Sequence, residues 1–330
     1  MSEQLELGGV AGGGPVPASP LPDRETLAAW RARIPSQIHF GTSTWTYPGW
    51  AGLVYSRVWP EHGATSRMLA EYARFPLFTT VGIDSSFYGP PQPRSLENWG
   101  RVLPAGFKCV SKVWDRITVH RFAGKREHPA LAGQRNPDFL NPLLFISDVY
   151  QPYRDHFAKH SGPFVFEFQA ITGWGKEGPA EFAQRLDRFL GALPDDARYA
   201  VEVRNEDFLT PAYFAVLREH NVAHVFNSWT RMPPLGYQLD LEGSITSDFL
   251  VARALLRPGR AYADAVKMFQ PYDRIRDPQP ELRRDLARLA TTATRLRLPA
   301  YILVNNRAEG SAPHTIAAVA EMLATDGQAA

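Results

Sequence analysis

The sequence predicts an α/β fold of the (β/α)8 TIM-barrel type, and three observations carry that prediction. From residue 38 onward, short apolar runs alternate with longer amphipathic stretches, the pattern of a parallel sheet covered by helices. The apolar runs fall near 38–44, 79–86, 107–113, 163–169, 199–205, 223–229, 249–255 and 300–306, and eight is the number a closed barrel needs. No repeat and no composition shift divides residues 36–324, so a single domain over 36–330 accounts for them.

The connecting segments follow the same logic. Residues 179–191 place Phe182, Leu186, Phe189 and Leu190 on one side, and 280–297 place Leu282, Leu286, Leu289, Ala293 and Leu296 at helical spacing between Pro280 and Pro299. Residues 114–162 are long for one crossover and predict a loop followed by a helix over about 138–160. The crossover before strand seven, 230–248, holds Pro233-Pro234 and little helical pattern, so irregularity is expected there. Residues 1–35 are rich in Gly and Pro and read as a flexible tail, with a short helix over 24–33 ahead of the first strand.

Composition limits the function classes. At 330 residues and 44% hydrophobic, the chain can bury a large core. A net charge of +2 is too mild to argue for nucleic acid. The one cysteine, Cys109, alternates with strand neighbours and reads as a buried thiol; it permits no internal disulfide and fits a reducing compartment. No apolar stretch approaches the roughly 20 residues that span a bilayer, and Glu3 and Glu6 with no apolar run behind them argue against a secretory signal. A cytoplasmic protein with no membrane partner is expected. Nothing in the sequence points to an oligomeric partner.

Two segments resemble each other in design. Gly41 to Trp50 leaves a strand into hydroxyls and three aromatics, Trp45, Tyr47 and Trp50; Val81 to Tyr88 ends in Phe87-Tyr88 and closes on Gly89-Pro90-Pro91. Either is a pocket rim or a turn with core aromatics; the recurrence favours the rim. Together with Phe107 to Lys112, Glu202-Val203-Arg204 and Asn305-Asn306, in that order, these segments resemble the YecE-like family, domain of unknown function 72, over roughly residues 37–324. The resemblance implies a (β/α)8-type barrel and supplies no reaction. The chain departs from the family pattern at Thr44, Gly82, Asp84, Glu167 and His314. After strand five it carries Asn205-Glu206-Asp207-Phe208, and after strand seven only Arg253 of the family's run survives. Asp84 thereby becomes a candidate to replace the carboxylate missing at position 82.

Charges inside the strands are the strongest functional signal. Strands covered on both faces should be nearly continuous apolar runs, yet Lys112, Glu167, Glu202, Arg204, Arg253, Asn305 and Arg307 interrupt them, mostly late in their strands. Late in a barrel strand means the carboxyl-end face, where active sites sit. Burying an unpaired ion costs several kcal/mol, so these groups pair, meet water or meet a ligand. Two readings stand, a salt-bridged plug such as Glu202 with Arg204 or Arg253 that holds the barrel interior together, and a functional site. In the second, Glu202, Asp84 and Lys112 are the catalytic candidates. Arg204, Arg253, Asn305, Asn306, Trp45, Tyr47, Phe87, Tyr88 and Glu167 are the substrate-binding candidates.

The basic groups and the Gly-Ser turn at Gly310-Ser311 before a helix point to a small anionic or sugar-like ligand, bound by an enzyme of hydrolase, lyase or isomerase class. A glycosidase using Glu167 and Glu202 ranks second. A metal site is weaker still, because no His pair has ligand spacing; Glu167, Glu202, Asp84 and His120 would have to assemble from separate strands, and His128 is a further rim histidine. No cofactor is implied. A nucleic-acid binder is disfavoured: residues 253–297 carry eleven Lys/Arg against five Asp/Glu, but Arg283, Arg284, Arg288 and Arg295 lie opposite an apolar stripe, as on a solvated helix face.

Overall fold

Side-chain alternation along eight parallel strands sorts the chain into two cores. In the computed structural model, which describes residues 20–60, 62–122, 129–170 and 178–326, the strands are β1 (Ile38–Thr42), β2 (Thr80–Ile83), β3 (Lys108–Lys112), β4 (Ser161–Phe168), β5 (Tyr199–Val203), β6 (Ala223–Ser228), β7 (Leu250–Ala254) and β8 (Ala300–Val304). They form one sheet in the order β1-β8-β7-β6-β5-β4-β3-β2, all neighbours parallel. One set of residues, including Val110, Val165, Ala200, Val225, Val251 and Leu303, packs as a small central cluster. The alternate set, including Phe40, Phe166, Val201 and Ile302, joins the larger cluster with the helices. That division is the period of two expected of strands buried on both faces.

The barrel closes where β1 meets β2. Thr79 N–H donates to Phe40 O at 2.9 Å. Beyond that point the Tyr72 hydroxyl stands between the strands, accepting from Thr42 N–H at 2.8 Å and donating to Thr80 O at 3.1 Å. The approach is close enough that a Cβ on Gly41 would lie 2.0 Å from Thr80 O, and one on Gly82 2.6 Å from Ser43 O. Position 82 therefore has no room for a side chain.

The helices agree with their sequence signals. Gly178–Leu190 buries its predicted stripe, and Pro280–Leu296 buries all of its own but Leu296, which is exposed in the last turn before Arg297 enters the left-handed region with φ of 58°. The segment expected to be helical over 138–160 runs from Pro142 to Phe157, widened into a π turn at Ile146–Tyr150 just ahead of Pro152, whose missing N–H interrupts the α ladder. The crossover before β7 holds only the short helix Leu235–Asp240. The helix Arg24–Arg33 forms with Asp23 capping Thr26 N–H at 2.7 Å, and it buries Leu27 in the main core. The folded body thus begins ahead of the expected boundary at 36; residues 1–19 of the expected tail lie outside the described residues.

Several strands end earlier than their sequence pattern. β2 stops at Ile83, and Asp84–Phe87 turn as a 3-10 helix held by the Ser86 hydroxyl donating to Ile83 O at 2.5 Å. β5 stops at Val203 and β8 at Val304. The polar residues Asp84, Arg204 and Asn305 therefore stand just past the ladder, at the carboxyl-end mouth.

Candidate functional site

Residues two apart on a strand share a face, so the positions that follow the central apolar cluster toward the carboxyl ends also face inward. These are Lys112 after Val110, Glu167 after Val165, Glu202 after Ala200, Asn227 after Val225 and Arg253 after Val251. Register places Glu167 beside Glu202 and Asn227 beside Arg253. The result is a charged layer resting on an apolar one.

Arg253, 2% exposed, sits at the centre of that layer. Its Nη2 donates to both oxygens of Asp84 at 2.9 and 2.8 Å. Its Nη1 donates to Glu167 Oε2 at 3.0 Å and to Glu202 Oε2. Arg204 reaches the same two glutamates, Nη2 to Glu167 Oε2 at 2.7 Å and Nε to Glu202 Oε1 at 3.1 Å. Lys112 Nζ completes the set, 2.7 Å from Glu167 Oε2. Three cations are matched by three carboxylates, which is how a protein keeps such groups charged away from water.

The electrostatics follow from that matching. Burial alone would raise the Glu167 carboxyl, but Arg204, Lys112 and Arg253 outweigh it and hold its pKa at about 2. Burial lowers the Lys112 ammonium, with Glu167 and Asp84 opposing. For Arg253, burial acts to lower the pKa, and Asp84, Glu202 and Glu167 more than reverse it. Aromatic rings cover two of the cations: Lys112 Nζ lies 3.7 Å from the Phe87 ring centre, and the Arg204 guanidinium 3.8 Å from that of Trp229.

Above this layer opens a cleft of about 780 Å³, within the range of small-molecule sites. Asp84, Lys112, Glu167, Arg204 and Arg253 form its floor; Tyr47, Phe87, Tyr88, Trp229 and Tyr262 supply aromatic walls. Arg307 stands apart from the matched set. It lines the cleft with Asn305, Thr44 and Thr46 and lies 4.5 Å from the Tyr262 ring centre. Among the described residues no carboxylate pairs with its guanidinium, and its Nε is a buried donor with no hydrogen-bond partner. Tyr47, beside it, has its hydroxyl pKa pushed up to about 12 by burial, against the pull of Arg307.

The structure brings together most of the residues singled out in the sequence, and it places four of the described ones outside the cleft lining. Trp45 is a core residue, not a rim residue: it is 2% exposed, crosses Trp99 edge-on at 5.3 Å and donates its indole N–H to Thr65 O. Asn306 is fully buried, and its Oδ1 accepts from Ala312 N–H at the start of the last helix. Glu202 is fully buried under Arg204 and Arg253 and does not line the cleft, so it supports the site from below. His120 packs edge-on against Phe139 at 5.2 Å and does not line the cleft; His128 lies outside the described residues. Trp229, Tyr262, Asp115 and Phe122 line the cleft without having been singled out. Trp229 directly follows β6 at its carboxyl end, which is the signal that marks it. The other three sit on crossover segments with no pattern of their own.

A metal reading meets the same floor. The three carboxylates that would have to gather around an ion gather around the Arg253 guanidinium instead, and no group of three or more His, Cys, Asp and Glu among the described residues is placed to hold a metal.

The family model described as Protein of unknown function DUF72 matches residues 39–330. The crystal structure of a DUF72 family protein from Enterococcus faecalis is 16% identical and covers 87% of this chain and 97% of its own, with a TM-score of 0.55. A second crystal structure of that protein gives a TM-score of 0.58 at 16% identity, over 87% of this chain and 95% of its own. A DUF72 family protein from Thermotoga maritima is 17% identical, over 86% of this chain and 98% of its own, with a TM-score of 0.56. At these identities the likeness is one of fold. No curated protein matches the chain.

Proposed function

Because this chain belongs to the DUF72 family, which brings a fold and no reaction, we propose a function from the cleft itself: an enzyme acting on a small anionic, sugar-like substrate at the carboxyl-end face of the barrel. One observation carries the reading. Lys112, Arg204 and Arg253 are each neutralised by carboxylates of the floor, whereas Arg307 enters the cleft with no carboxylate partner and with an unpartnered Nε among the described residues. A buried unsatisfied donor is costly to leave so, and an anionic group on a ligand is the partner that removes the cost. The anion is therefore held by Arg307, with Asn305 and the Thr44 and Thr46 hydroxyls around it, and Arg204 and Arg253 are fixed parts of the floor.

The remaining geometry supports a polar ring-shaped body on that anion. Tyr47, Tyr262 and Trp229 offer ring faces, and Asp84 offers a carboxylate that is 26% exposed and aimed by the two bonds from Arg253. Asp84 is the general base of this reading, and Lys112, whose pKa burial lowers, is the acid or the stabiliser of developing negative charge. The class is then a lyase or isomerase, or a hydrolase with Asp84 activating water. Glycosidase chemistry through Glu167 and Glu202 is disfavoured, because Glu167 is held ionised and cannot serve as an acid. Nucleic-acid binding is disfavoured as well: Arg283 pairs with Glu309 at 2.9 Å and Arg288 pairs with Asp240, so the basic helix is compensated at both positions.

The test is thermal stabilisation by a panel of sugar phosphates, sugar acids and neutral sugars, on the native chain and on Arg307→Ala and Asp84→Asn. A ligand at 100 times its dissociation constant adds about 2.7 kcal/mol. Stabilisation by an anionic member that Arg307→Ala abolishes and Asp84→Asn preserves supports the reading, with turnover lost in Asp84→Asn. The reading is overturned if no member of the panel stabilises the native chain more than it stabilises Arg307→Ala.

A further inference from the structure

A second cleft opens at the opposite end of the barrel, where the strands begin. It holds about 320 Å³, at the low end for small-molecule sites. Lys108 at the start of β3, Arg198 just before β5, Arg154, Asp196, Tyr150 and Tyr301 line it. The charges there do not cancel. Asp196 is the one carboxylate among the described lining residues; it accepts from the Tyr150 hydroxyl, which leaves its charge in place. Arg154 has its own partner outside the lining, Asp155 at 3.5 Å. Lys108 and Arg198 have no ion pair among the described residues; the Arg198 guanidinium rests 5.1 Å from the Phe249 ring centre, and Arg198 also interacts with Tyr301.

Among the described residues, the barrel interior above this cleft brings no negative group to it. His39 on β1 stacks on Tyr301 with ring centres 5.1 Å apart, and its buried Nδ1 has no hydrogen-bond partner. Burial, together with the positive charges of Arg31 and Arg198, depresses its pKa to about 4, so it stays neutral and adds no charge of its own. Lys108, Arg154 and Arg198 against Asp196 leave this concave, tyrosine-walled space with two more positive than negative groups among its described lining residues.

The geometry points to a second ligand site at this amino-end face, one that takes a phosphate group, free or as a small monoester, between Lys108 and Arg198. The lining groups supply what such a group requires. Arg198 offers a planar fork of donors, Lys108 a point charge, and the Tyr301 phenol a neutral donor beside them. The lining's net charge of +2, three cations against Asp196, matches a dianion, and the small volume admits a phosphoryl group with a short organic body. Chemistry in barrels of this type belongs to the other face, so a ligand here meets no reacting atoms and acts on the protein through binding alone. The site is independent of the one proposed above, from which the length of the barrel interior separates it.

Isothermal titration at low ionic strength, with inorganic phosphate and separately with glycerol phosphate, tests the proposal on Arg307→Ala, which leaves the amino-end face untouched. The expected result is one equivalent bound to Arg307→Ala, weakened at least tenfold when Lys108→Ala and Arg198→Ala are added. Arg198→Gln alone, at an exposed position, should weaken it severalfold and guards against a folding defect in the combined variant. Tighter binding of the ester assigns an organic phosphate, and equal binding assigns the phosphoryl group itself. The proposal is overturned if Arg307→Ala binds neither probe, or if the combined variant binds as well as its parent. Equal binding by the native chain and Arg307→Ala would sink the upper anion site and leave this one standing.

Discussion

Both carboxylate oxygens of Asp84 accept from a single nitrogen of Arg253, Nη2, at 2.9 and 2.8 Å. The other terminal nitrogen of the same guanidinium holds Glu167 and Glu202. One arginine therefore ties the end of β2 to β4 and β5 across the barrel and fixes the direction of the one carboxylate of the floor that combines partial exposure with a place at the mouth.

Removing that guanidinium leaves two glutamates buried without their central partner. Arg253→Met should cost about 3–5 kcal/mol, the range for breaking a buried charge pair from one side. Adding Glu202→Gln should recover part of the loss, because it removes a charge that no longer has its match. Urea unfolding of the single and double variants measures both. A loss under about 1 kcal/mol in the single variant would mean that water replaces the guanidinium and that the layer is wetter than its burial implies.

Glu167 makes stability sensitive to acid. Its folded pKa of about 2 lies below the ordinary glutamate value of 4.5, so the ionised form is the one that folding favours. The contribution is complete above pH 4.5 and is lost as the pH falls toward 2, where the folded protein must also take the proton. The span corresponds to about 3 kcal/mol as an order of magnitude. Unfolding free energy followed between pH 5 and 2 should decline more steeply in the native chain than in Glu167→Gln. Parallel curves would assign the acid response to other carboxylates.

The barrel was legible because its strands are covered on both faces and so stand out as apolar runs, and the polar residues that break those runs mark one end of the barrel. Alternation then placed Lys112, Glu167, Glu202 and Arg253 on the same inner face. What the pattern could not supply was direction beyond the last ladder bond. Past Thr42 the chain turns, and nothing local decides that Tyr47 faces the cleft while Trp45 faces Trp99. Asn305 and Asn306 are adjacent and chemically identical, yet one lines the cleft and the other caps a helix. The plug pairing of Glu202 with Arg204 or Arg253 was readable and is present; only three dimensions show that Asp84 and Glu167 join it and that Arg307 has no carboxylate partner among the described residues.

The β1–β2 seam depends on one hydroxyl. Tyr72 satisfies Thr42 N–H and Thr80 C=O where the two strands do not reach each other. Tyr72→Phe keeps the ring, which is fully buried, and strands both backbone groups. The expected loss is about 1–3 kcal/mol, that of a buried polar group left unsatisfied. Gly41→Ala should be worse, since its new Cβ would overlap Thr80 O; overpacking of this kind costs roughly 1–3 kcal/mol and can exceed it. Hydrogen exchange at Thr42 N–H reads the seam directly and should accelerate in Tyr72→Phe. Unchanged protection would mean that the amide finds another acceptor.

Two buried histidines should produce a separate, earlier acid response. His39 and His224 both have pKa values lowered from 6.5 to about 4, each by burial first. His224 is fully enclosed, with Nδ1 3.1 Å from the Tyr213 hydroxyl and Nε2 without a hydrogen-bond partner. Because folding favours the neutral ring, nothing changes above pH 6.5, where both states are neutral. Between 6.5 and 4 the unfolded chain binds protons that the folded chain refuses, so stability falls as the pH falls, and the loss levels off below 4. For His224 the span corresponds to about 3 kcal/mol at most; His39, only half-buried, should give less. His224→Phe and His39→Phe should each flatten the decline between pH 6.5 and 4 and leave the Glu167 response below 4.5 in place. If both variants keep the native slope, the two rings are protonated within the fold and their missing partners are water molecules.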